Sequence, residues 1–87
     1  MSKSYYVARL IFADYTSQPF RAEMTEKQLE ALRVALDKKV GHGPFKGYVL
    51  APPKRAEYVH ALIFSADALK AELLDLIETE KRLSENR

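Results

Sequence analysis

"FRAEMTEKQLEALRVALDKKVG", Phe20–Gly41, changes its hydrophobic period in mid-run, and the place of that change decides the fold. Phe20, Ala22 and Met24 alternate with Arg21 and Glu23, the two-residue period of a strand with one apolar face. From Leu29 onward the apolar positions become Leu29, Leu32, Leu36 and Val40, which is the stripe of an amphipathic helix. Thr25 stands at the junction with Gln28 three residues later, the pattern of a capping box. Met24 and Leu29 flank it as a hydrophobic staple. Lys38 and Lys39 fall where a helix C-terminus favours cations, and Gly41 where a left-handed cap belongs. A strand runs directly into a helix.

Upstream, "YYVARLIFA", Tyr5–Ala13, is rich in aromatic and β-branched residues and predicts a strand. "DYTS" and Pro19 supply a turn, so the two strands form a hairpin. Matching the apolar faces pairs Phe12 with Phe20 and Leu10 with Ala22, and sets Arg9 opposite Glu23. Downstream, "KGYVLA" predicts a third strand, "PPKRAE" a connection and "YVHALIF" a fourth strand. Ser65 then caps a second helix with Asp67 in its first turn and a stripe of Ala66, Leu69, Leu73, Leu76 and Ile77. The polar end, residues 84–87, is expected to fray.

The expected fold is therefore α+β, a two-layer ββαββα sandwich with a four-stranded, mainly antiparallel sheet and two helices on one face. Residues 1–87 form a single domain, within which 5–40 and 46–83 would be a ββα pseudo-repeat at an offset of forty. Val34 and Leu74 correspond in that repeat and lie on a flank of their helices, where two neighbouring helices could touch.

Composition narrows the function. Hydrophobic residues are 47% and charged residues 30% of the 87, a globular balance. Cysteine is absent, which removes disulfides and thiolate chemistry. Residues 1–10 lack the apolar core and cleavage site of a secretory signal, and no apolar run approaches a membrane span, so the expectation is a cytoplasmic protein with no membrane partner. Net charge is only +2, but Lys38, Lys39, Lys46, Lys54 and Arg55 lie in an acid-free segment, leaving nine bases against twelve acids elsewhere.

No constellation for catalysis is recognisable, so the protein is read as a non-enzyme with no cofactor and no metal. The glycines Gly41, Gly43 and Gly47 follow a helix and precede a strand, the reverse of a dinucleotide fingerprint. Two histidines without cysteine give no zinc spacing. A hydrolase or nuclease centred on Tyr58 and His60 is the weakest of the readings, because no nucleophile motif accompanies them.

Strand alternation carries the main functional expectation. Helices on one face would cover Ala8, Leu10, Phe12, Phe20, Ala22, Met24, Leu50, Leu62 and Phe64. The other face would hold a belt of Val7, Ile11, Val49, Val59, Ala61 and Ile63, interrupted by Arg9, Arg21 and Glu23. An antiparallel sheet facing water is usually polar there. The belt predicts a small protein-binding module that dimerises through its apolar sheet face, with a homodimer or another protein as partner. Such a protein suits an accessory, adaptor or inhibitor role, including that of a phage or mobile-element protein. The interface residues would be Val7, Arg9, Ile11, Arg21, Glu23, Val49, Val59 and Ile63. The alternative is binding of nucleic acid or a nucleotide through residues 38–55. There Lys38, Lys39, His42, Lys46, Lys54 and Arg55 would meet phosphates, and Phe45 or Tyr48 would stack on a base.

Overall fold

The first strand, β1 (Ser4–Phe12), is the sheet's organiser, because both β2 (Phe20–Met24) and β3 (Phe45–Ala51) pair with it. The computed structural model describes residues 3–54 and 61–86. Two helices, α1 (Glu26–Lys39) and α2 (Ala66–Glu85), and a short strand β4 (Leu62–Ser65) complete the order ββαββα. The sheet runs β3-β1-β2-β4, antiparallel except for the parallel pair β2 and β4. It is thus a mixed sheet in a two-layer α+β sandwich.

Both helices pack on one sheet face. Leu32 and Leu36 of α1 and Leu69, Leu73 and Ile77 of α2 share a core with Ala8, Leu10, Phe12, Phe20, Ala22, Met24, Phe45 and Leu50. Leu32 and Leu36 of the α1 stripe are buried as the period predicts, and Leu29 packs against the core's edge. Val40, expected on the same stripe, is instead the C-cap and stays exposed. The capping box forms as expected. The Gln28 N–H donates to Thr25 Oγ1 at 3.2 Å, and the Thr25 N–H to Gln28 Oε1 at 2.9 Å. Gly41 follows the C-cap with φ +94°, and its N–H donates to the Phe45 carbonyl at 2.9 Å. Ser65 caps α2 through the Ala68 N–H.

The hairpin has a different register from the expected one. Ala8 faces Phe20, Tyr6 faces Ala22, and Glu23 faces Tyr5 rather than Arg9. The turn is tighter than the polar run suggests, since the Phe12 N–H donates to the Tyr15 carbonyl at 2.8 Å. Thr16 then bridges Ile11, and Ser17 bonds Leu10 twice, through its own N–H and through Oγ accepting the Leu10 N–H at 2.9 Å. The chain pairs back so early that Phe20 arrives four residues further down β1 than the expected Phe12. Because four is even, every side chain keeps its face.

Three other expectations change. A bulge opposite Ile11 and Phe12 leaves Lys46 as the extra residue of β3. It lets Phe45 and Tyr48, three positions apart, both turn toward the helices. The pseudo-repeat does not carry into the topology: β1 and β2 are neighbours, whereas β3 and β4 occupy opposite edges. Finally, α2 extends through Ser84 to Glu85 instead of fraying after Leu83, with the Asn86 N–H bonded to the Arg82 carbonyl at 3.1 Å. The expected fourth strand began at Tyr58, and Tyr58, Val59 and His60 lie outside the described residues, as does Arg55.

Candidate functional site

The sheet face away from the helices is expected to carry an exposed apolar belt interrupted by Arg9, Arg21 and Glu23. Alternation does place Val7, Arg9, Ile11, Arg21, Glu23, Val49 and Ile63 there. Their exposure divides them. Val7, at the centre, is only 3% exposed and is enclosed within one subunit, which corrects its assignment to a free surface. Ile11, Arg9 and Arg21 are half-buried, and the Nε atoms of both arginines are enclosed. The Arg21 guanidinium carbon lies 5.9 Å from the centre of the Tyr5 ring, within cation–π range. Val49 and Ile63 remain open, at 49% and 65% exposure. They sit on the two edge strands, so the arginines of β1 and β2 stand between them. The belt is broken in its middle.

The apolar exposure instead concentrates on β4. Leu62, expected under the helices, is 46% exposed on the helix-side face, and Ile63 is open on the other. Phe64 packs at the edge of the core with its ring 5.7 Å from that of Phe20. β4 pairs with β2 on one side, and no described strand lies along its outer edge. Its sequence, Leu-Ile-Phe-Ser, contains no charge and no proline. Proteins ordinarily protect such an edge with lysine, proline or a bulge. Sequence alternation missed Leu62 because it tells which way a side chain points, and not whether its strand is at the sheet's margin.

The basic segment is dispersed by the fold. Lys38 and Lys39 end α1, and Lys39 Nζ bonds Glu78 Oε1 at 3.0 Å. That ammonium holds the Glu78 carboxyl below its usual range. His42 is half-buried in the loop that follows. Lys46 sits in the bulge and lines a cleft with Asp14, Tyr15 and Glu80, whereas Lys54 lies past the other end of β3. Phe45 is fully buried and Tyr48 faces α1, its hydroxyl donating to Asp37 Oδ1 at 2.6 Å. Burial first, and then this bond to a carboxylate, raise the Tyr48 hydroxyl above its ordinary pKa. The two aromatics proposed to stack on bases are thus occupied on the helix side.

The Tyr15 ring stacks on Phe12 at 5.0 Å, and its hydroxyl bonds the Glu80 carboxylate. Desolvation, reinforced by that carboxylate, pushes its pKa up to about 12. This explains why Glu80, an acid on the apolar stripe of α2, is tolerated there. Among the described residues no group of three or more histidine, aspartate or glutamate side chains could hold a metal ion, and no helix is long and apolar enough to cross a membrane. Comparison with protein-family models, with curated proteins and with solved structures finds no match for this chain.

Proposed function

We propose that the protein is a non-catalytic protein-binding module that joins a second copy of itself along β4. The supporting observation is an uncharged edge strand with Leu62 and Ile63 exposed on its two opposite faces. An unpaired edge offers a row of backbone N–H and C=O groups as a template for a further strand. The partner is a second copy because this edge is complementary to itself. An antiparallel pairing centred on Ile63 sets Ile63 against its counterpart on the open face. On the helix side it sets Leu62 against Phe64 of the other copy, in both directions. A twofold axis through one strand gives such an isologous contact, and no charge on the strand opposes it. The resulting sheet would have eight strands, with Arg21, the neighbour of Ile63 on β2, at the margin of the contact. Ile63 anchors the contact, and Arg21 tunes its specificity more than its strength.

Mass in solution tests the reading. The wild-type chain is expected to be a dimer at micromolar concentration, and Ile63→Asp a monomer with an unchanged circular dichroism spectrum. A wild-type monomer at high concentration, or an Ile63→Asp dimer, would defeat the proposal.

A further inference from the structure

The two helices leave a furrow between them on the face turned away from the sheet. It encloses about 570 Å³ and is lined by Lys27, Glu30, Ala31, Val34, Ala35, Lys38 and Lys39 from α1 and by Lys70 and Leu74 from α2. Its floor is apolar. Ala31 and Ala35, one turn apart, are too small to fill the space between the helices, and Val34 stays 45% exposed beside them. Val34 and Leu74 are the flank positions that the sequence aligns at the same offset in both helices. Here they form the two walls of a groove.

The rim carries four lysines against one carboxylate. Lys27 and Lys70 stand toward the helix N-termini, and Lys38 and Lys39 at the last turn of α1. Lys39 is tethered by Glu78, which leaves Lys27, Lys38 and Lys70 as the cations that an incoming acid would meet. From Lys27 to Lys38 a helix advances ~16 Å, the length of three turns. A shallow apolar channel of that length, bordered by cations along both sides, matches one kind of occupant. We infer that the α1–α2 furrow is a docking site for an amphipathic acidic helix of a protein partner, about three turns long.

In such a complex the apolar side chains of the incoming helix, at i, i+3 or i+4 and i+7, fill the space over Ala31 and Ala35 between Val34 and Leu74. Its aspartates and glutamates face Lys27, Lys70 and Lys38. Apolar burial provides the affinity, and the lysines select sign and orientation. This surface lies on the helix layer, away from the outer edge of β4, so one module could hold its copy and a partner together.

A fluorescent helical peptide with leucine along one face and glutamate on both flanks is the direct probe, titrated into the full chain by anisotropy. Saturable binding is expected, weakening about tenfold or more in Val34→Glu and in the Lys38→Glu, Lys70→Glu double variant. A lysine-flanked peptide of the same leucine pattern should not bind. Ile63→Asp should bind the acidic peptide normally even where it changes the mass, which separates this site from the β4 contact. Any of four results would overturn the inference: no saturable binding, equal binding of a scrambled acidic peptide, normal binding by Val34→Glu, or competition by a short single-stranded oligonucleotide as effective as the peptide's. A change of solution mass in Val34→Glu would instead assign the furrow to a second copy, and would overturn it too.

Discussion

The loop between α1 and β3 turns on two glycines in left-handed conformations, and they are not equivalent. Gly41, at φ +94°, has open space where a Cβ would project. Gly43, at φ +53°, would place that Cβ 3.0 Å from the Lys81 Cα, so the loop rests directly on the backbone of α2. Gly41→Ala is expected to cost ~1–2 kcal/mol from backbone strain alone. Gly43→Ala adds a clash with a main chain that cannot step aside, so it should lose ~1 kcal/mol or more beyond that. Urea unfolding of the two variants side by side checks the order. Tyr15 allows a second test at this scale. Its folded pKa of about 12 exceeds the ordinary 10.0, so the folded state favours the protonated phenol. That contribution is fully present below pH 10 and is lost as pH rises toward 12. Absorbance titration should find Tyr15 and Tyr48 both ionising above the ordinary range, and Glu80→Gln should lower the Tyr15 step alone. A Glu80→Gln titration curve identical to the wild type would contradict the pairing.

Elements were legible where local chemistry and period agree. β2 occupies its expected residues, Phe20–Met24, and α1 starts at the capping box that Thr25 and Gln28 announce. Thr25→Ala removes the acceptor for the Gln28 N–H and is expected to cost ~1 kcal/mol, read as a lower melting temperature. Thr25→Ser should largely restore it. The hairpin register was less legible, because apolar faces match equally well at any even slip. What decides it is the turn at Phe12 and Tyr15 and the Ser17 hydroxyl bonded to Leu10, a side chain serving as a ladder partner. The β3 bulge was equally hidden. It exists because Phe45 and Leu50 both need the core, and an unbroken strand would send Phe45 to the other face.

For the molecule as a whole, dimerisation along β4 has a thermodynamic signature. A tenfold increase in concentration stabilises a dimer by ~1.4 kcal/mol, about half of that per subunit. For a domain of this size the melting temperature should rise by roughly 3–6 °C, and Ile63→Asp should abolish the dependence. Salt distinguishes the two proposed surfaces. β4 contributes no charge, so the dimer should persist in high salt, whereas the furrow should bind its acidic peptide more weakly and discriminate less against the lysine-flanked one. A dimer that falls apart with salt would point to contacts other than β4.

The sequence by itself determined the class of fold, the order of its elements, the faces of β1, β2 and β4 and the caps that start the helices. These are short-range matters, set by side-chain period and by hydrogen bonds within a few residues. The tertiary structure alone decided which strands became edges, how far each side chain is exposed, and which helix flanks face each other. Val7 and Ile63 lie on one face by the same alternation, yet Val7 is enclosed at the centre of the sheet and Ile63 stands open on β4. The five cations of residues 38–55 are neighbours in the chain, yet Lys38, Lys46 and Lys54 end in three different places. Exposure and charge clustering are sums over residues distant in sequence, and only the packed chain brings those residues together.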